Sequence, residues 1–129
     1  MNKIIIEVSV GELLDKISIL EIKQDKIKDQ DKLKFINSEH KILKEQLNQN
    51  VKSDDKLEGL FQSLKEINAK LWVIEDDKRQ CEKDKDFSEK FIQLSRDVHF
   101  LNDDRAKIKL EMNNHTGSKI KEIKEYTSY

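Results

Sequence analysis

Three arginines, Arg79, Arg96 and Arg105, stand among 22 lysines in this chain. Where lysine is so strongly preferred, an arginine marks a position that wants a planar, two-pronged donor, the shape that grips a carboxylate or a phosphate. Arg105 is the most pointed case. It falls on the apolar seam Phe87, Phe91, Leu94, Val98, Leu101, Arg105, Ile108, Met112. An unpaired cation on such a seam is costly, so Arg105 should meet a carboxylate or a bound anion. Asn102 and Lys109, three residues before and four after, share its edge on a helix. A second group, Trp72, Asp76 and Arg79, repeats at i, i+4 and i+7, with Arg96 at a similar level on the following helix. Together these residues could build an anion pocket in which Trp72 and Asp76 stack on or border a ligand. Set against that is buried ion pairing that fixes helix register, the commoner fate of charges on a seam.

Other chemistry is thinly represented. His40, His99, His115 and Cys81 show no close ligand spacing of the C-x-x-C or H-x-x-x-H kind, so no metal is expected. Cys81 ends a seam and reads as a small apolar filler. Glu12, Asp15, Lys16 and Glu21 lie on one early helix and read as surface ion pairs or as the rim of a contact. No glycine-rich phosphate loop, G-x-S-x-G elbow or H-E-x-x-H occurs, and no cofactor is implied.

The elements that position these residues are helices. With three glycines and no proline in 129 residues, the chain lacks the turn chemistry of a β-sandwich or a nucleotide-binding α/β fold. Residues 3–8 (KIIIEV) are β-branched and predict a short strand. Ser9 followed by Glu12 is a capping box, flanked by Val8 and Leu13 at staple positions. It opens a helix over 10–48 that is either continuous or broken near 28–31, where QDKIKDQDK (24–32) is almost wholly polar. A second helix over 54–83 carries Leu57, Leu60, Leu64, Ile67, Leu71, Ile74, Lys78 and Cys81 in alternating steps of three and four. A third covers 86–115 and stops at Gly117, suited to a left-handed cap. The polar tail, 118–129, could pair with the N-terminal strand or fray. The fold class is therefore all-α, a single domain of three long helices in an antiparallel bundle or coiled-coil-like hairpin. Aligning the helices back from their turns sets His40 and Arg105 at the level of Leu64, which predicts a polar layer within an aliphatic bundle.

An unbroken first helix would be about 58 Å long, against roughly 40–45 Å for the other two. Its first turns, with Leu13, Leu14, Ile17 and Leu20, would then overhang with bare apolar faces, the usual mark of an interface. Either the chain breaks near 28–31 and folds back as a fourth helix, or two copies cover each other. The second outcome makes these four residues the expected dimer contact.

Charge excludes more than it suggests. Twenty-five basic residues against 26 acidic ones give a net charge of −1, with the signs interleaved throughout. That is no footprint for nucleic acid, whose phosphates demand concentrated positive charge. No apolar stretch approaches the ~18 residues of a membrane span. The opening MNKIIIEVSV is no secretory signal, and a single cysteine suits a reducing compartment, so a cytoplasmic location is expected.

Three segments, IEVSVGELLDKISILEIK (6–23), LWVIEDDKRQCE (71–82) and FIQLSRDVHFLNDDRAKIKLEMN (91–113), resemble a family of short bacterial and phage proteins catalogued as a domain of unknown function. The resemblance omits 24–56 and 117–127 and brings no catalytic residues. It implies an association with genes for cell-surface sugar biosynthesis. Two functions follow as expectations. The first is a homodimeric interaction or accessory protein without enzymatic activity, with room for a further protein partner. The second is a binding protein or small enzyme for an anionic metabolite such as a phosphosugar, sugar nucleotide or dicarboxylate, held by Arg79, Arg96, Arg105, Asn102, Lys109 and His40.

Overall fold

A computed structural model describes residues 2–129 and contains four helices: α1 (Val10–Lys26), α2 (Gln30–Asn50), α3 (Asp55–Asp84) and α4 (Glu89–Thr116). The chain is all-helical. Ser9 caps α1 as its spacing predicts, its side chain accepting from the Glu12 N–H at 3.1 Å. The long first helix is broken, and the chain folds back at 27–29 to form α2, which brings the helices to four. Ile27 is extended, and Asp29 starts α2 by accepting from the N–H groups of Asp31 and Lys32 at 2.9 and 3.1 Å. At the start of α3, Asp54 is the N-cap and accepts from the Leu57 N–H at 2.8 Å, so the helix expected over 54–83 runs one residue later at each end. The last helix begins at Glu89 and not at 86: its N-cap is Ser88, which makes no side-chain cap bond, and Asp86 lies outside the helix, its Oδ1 accepting the Ser88 N–H and hydroxyl. Gly117 closes α4 in the left-handed conformation, φ 67°, as expected.

α1 is the central element and lies against each of the other three helices. It runs antiparallel to α2, as the hydrogen bonds Glu21–His40 and Gln24–Asn37 show. The hairpin of α3 and α4 is the most extensive pairing. The core joins Leu14 and Ile17 of α1, Leu57, Phe61 and Leu64 of α3 and Met112 of α4, with Leu43 and Leu47 of α2 packed on its edge. At 1.5 Å per residue α1 is about 26 Å long and the α3–α4 hairpin about 45 Å, so the far half of the hairpin projects beyond α1. Cys81, 2% exposed, fills that far half, and Phe87 and Phe91 meet edge to face there at 5.4 Å.

Two expectations are corrected. Leu14, Ile17 and Leu20 are buried within one chain and Leu13 packs against the same core, so the four residues do not form a bare dimer face. The reason is the break: folding α2 back and laying α1 on the hairpin covers the apolar faces that a 58 Å rod would leave open. No strand occurs among the described residues. Residues 3–8 make no backbone-to-backbone hydrogen bond, because the tail that could have paired with them is held on α4. There Glu122 accepts from Lys109 at 3.1 Å, and the Tyr129 hydroxyl donates to Asp103. No described helix is long and apolar enough to cross a membrane.

Candidate functional site

The polar layer is present, and α1 supplies its centre. Asp15, one residue after Leu14 and two before Ile17, is carried by the fold into the contact of α1 with α3 and α4, where it is 2% exposed. The guanidinium of Arg105 grips it with two bonds, Nε to Oδ1 at 2.9 Å and Nη2 to Oδ2. Asn68 of α3 donates to the same Oδ1 at 2.9 Å and to the Ser18 hydroxyl at 2.8 Å, and that hydroxyl donates to the Asp15 carbonyl. Asn102 accepts from Arg105 Nη1 at 3.3 Å. One turn along α4, the ammonium of Lys109 reaches Glu12 at 2.9 Å, Glu122 of the tail at 3.1 Å and Asp15 at 3.9 Å. Three helices and the tail are thus tied through two cations and three carboxylates.

The electrostatics follow from these contacts. Burial alone would raise the pKa of Asp15. The hydrogen bonds from Arg105 and Asn68, with the charges of Arg105 and Lys109, outweigh it and hold the carboxyl below its usual value. For Arg105 the bond to Asp15 leads and pushes the guanidinium higher still, while for Lys109 the bonds to Glu12 and Glu122 outweigh burial and raise the ammonium. The contacts therefore favour the charged forms of Asp15, Arg105 and Lys109. Among the described residues no buried side-chain nitrogen or oxygen lacks a hydrogen bond.

His40 does not join Arg105. Because α2 folds back along α1, the His40 Nε2 meets Glu21 at 3.0 Å, and Lys65 of α3 meets the other Glu21 oxygen at 3.1 Å. Their hydrogen bonds overcome the burial of Glu21 and lower its pKa. Arg79 and Asp76 are exposed on the projecting half of α3, and Trp72 is half-buried there. Arg96 is exposed and lies over the Phe100 ring at 5.7 Å. The six proposed anion ligands are therefore divided. Arg105, Asn102 and Lys109 form one cluster, and His40, Arg79 and Arg96 lie elsewhere.

Sequence reasoning missed Asp15, Ser18, Asn68 and Gly11 as members of the layer. A signal existed: Gly11, Asp15 and Ser18 repeat at i, i+4 and i+7, a stripe of small and polar residues facing inward. Gly11 is required by closeness. Its N–H donates to Asn113 Oδ1 at 2.7 Å, and a Cβ there would lie 2.7 Å from the Lys109 carbonyl oxygen. The Val10 N–H donates to Ser118 Oγ at 3.1 Å, so the start of α1 is bound to the end of α4.

A wide cleft of about 1130 Å³ opens beside this junction, between the N-terminal segment, the end of α2 and residues 115–120. Its apolar wall includes Leu13, Leu43 and Val51, and Lys3, Lys16, Lys52 and Lys119 edge it. His115 at its mouth bonds Asp54 at 2.7 Å. No group of three or more His, Cys, Asp or Glu side chains suited to a metal occurs among the described residues.

Comparison with known proteins finds a family but no characterised relative. A model of the family of unknown function DUF6165 matches residues 4–129, and the chain belongs to that family. No curated protein and no solved structure matches the chain.

Proposed function

We propose that this member of the family is a small interaction or accessory protein that works by binding another macromolecule, and that it is not an enzyme. Membership of a family of unknown function brings no reaction with it, so the reading rests on the chain's own residues. One observation carries it. The cations best placed to hold a ligand, Arg105 and Lys109, are taken up by Asp15, Glu12 and Glu122, while Ile4, Ile5 and Ile6 stand 87%, 81% and 71% exposed. Polar groups satisfied within the chain stabilise a scaffold, and a contiguous run of bare apolar side chains marks a contact surface.

A thermal-shift screen against phosphosugars, sugar nucleotides, nucleotides and dicarboxylates tests this reading. A ligand at a hundred times its dissociation constant adds about 2.7 kcal/mol, several degrees of midpoint for a chain of this size. The expected result is no shift. A shift of several degrees that Arg105→Met abolishes would overturn the reading.

The cleft favours a second reading, an anion-binding protein linked to surface-sugar biosynthesis with its site moved away from the arginines. Lys3, Lys16, Lys52 and Lys119 edge the cleft, and none has a carboxylate within ion-pair distance among the described residues. In the same screen that reading requires a shift that survives Arg105→Met and is lost in Lys16→Gln or Lys52→Gln.

A further inference from the structure

Three consecutive apolar residues, Ile4, Ile5 and Ile6, stand largely exposed, and a charge of each sign encloses them, Lys3 before and Glu7 after. Three β-branched residues in a row favour extended backbone. The segment makes no backbone-to-backbone hydrogen bond to the rest of the chain, so its N–H and C=O groups are open to a strand partner. We infer that residues 3–7 are the surface through which two copies of this chain associate, pairing as antiparallel strands about a two-fold axis at Ile5.

The charge order selects both the occupant and the direction. Antiparallel pairing centred on Ile5 sets Lys3 of each copy opposite Glu7 of the other and Ile4 opposite Ile6. Two attractive charge pairs then flank three apolar cross-strand pairs. Parallel pairing in register would set lysine against lysine and glutamate against glutamate, which is repulsive at both ends. A two-stranded ribbon alone is marginal in water. Here the same segment borders the cleft whose wall holds Leu13, Leu43 and Val51, an apolar surface on which one face of the ribbon can rest. The inference rests on the interaction role proposed above and names the partner for it.

The test uses the full chain and measures its dimer dissociation constant by sedimentation equilibrium. Lys3→Glu alone or Glu7→Lys alone turns both attractive pairs into repulsive ones and is expected to weaken the dimer about tenfold or more. The double exchange, Lys3→Glu with Glu7→Lys, restores the pairing and is expected to return the constant to within about twofold of the wild type. None of these positions lies in a helix or the core, so helix content should be unchanged in all three variants. Oxidation gives a second readout in a Cys81→Ala background. Residue 5 faces itself across the axis at a Cα separation of about 4.5–5.5 Å, within disulfide range, so Ile5→Cys should form a covalent dimer and Lys16→Cys should not. A wild-type chain that stays monomeric at all concentrations would overturn the inference. So would a dimer indifferent to the single exchanges, or one that the double exchange fails to restore. A dimer of that kind would refute this pairing and leave the interaction role standing, whereas an arginine-dependent ligand in the screen would refute the role itself.

Discussion

Arg105→Met removes the cation that faces the most deeply buried carboxylate of the protein, and its cost can be worked from the contacts that remain. Breaking a buried pair by deleting one partner costs about 3–5 kcal/mol when the other charge is stranded. Asp15 would not be wholly stranded, because Asn68 still donates to it at 2.9 Å and Lys109 stays at 3.9 Å. The expected loss is thus at the lower end, about 3 kcal/mol. Asp15→Asn is milder, about 2 kcal/mol, since Arg105 has 27% of its side chain exposed and can turn to water, while Lys109 keeps Glu12 and Glu122. Independent effects would sum to about 5 kcal/mol in the double variant. Coupling through the shared pair should hold the double to about 3 kcal/mol, a coupling energy of about 2 kcal/mol. Urea unfolding followed by far-ultraviolet circular dichroism gives all four stabilities. On heating, Arg105→Met should melt about 9–15 °C below the wild type, at about 3–5 °C per kcal/mol for this length. A double variant whose loss equals the sum of the singles to within about 0.5 kcal/mol would refute the reasoning.

Further outcomes follow from the same contacts. Gly11→Ala drives a methyl against the Lys109 carbonyl oxygen and should cost about 1–3 kcal/mol, read as a lower urea midpoint with an unchanged slope. Ser9→Ala removes the cap of α1 and should cost about 1 kcal/mol in the same assay. Asp15 and Glu21 have folded pKa values below their unfolded ones, so their contribution is complete above the unfolded values and is lost as pH falls through the folded ones. Stability should therefore decline below about pH 4, and Asp15→Asn should flatten that decline, as midpoints measured in a pH series would show.

Much of the fold could be read in the chain because its signals are local. Ser9 with Glu12, Asp54 with Leu57 and Gly117 each act within a few residues, and these caps stand at or next to the expected helix ends. The break after Lys26 was visible only as polarity. A solvated helix and a turn look alike in QDKIKDQDK, and what decides between them is the burial α1 gains by lying on the hairpin, which is not a local quantity. That Arg105 should meet a carboxylate or a bound anion also followed from its place on an apolar seam. Which carboxylate did not, because Asp15 lies 90 residues away and in sequence resembles any surface acid of a charged helix. His40 lies near the expected level, sharing Glu21 with Lys65, but misses Arg105 for the same reason: its partner depends on which helix α2 folds against. The N-terminal strand had the right composition but no ladder partner within the chain.

The central claim is that the arginine on the seam holds the helices together and is not a ligand contact, and the Nε–H of Arg105 reports on it directly. In a nitrogen-15 spectrum the chain's three arginines give three such signals. The Arg105 signal should exchange slowly with water and disappear from that position in Asp15→Asn, and millimolar pyrophosphate or citrate should leave it unmoved. An Arg105 signal that exchanges as fast as those of Arg79 and Arg96, or that shifts as either anion is added, would contradict the account.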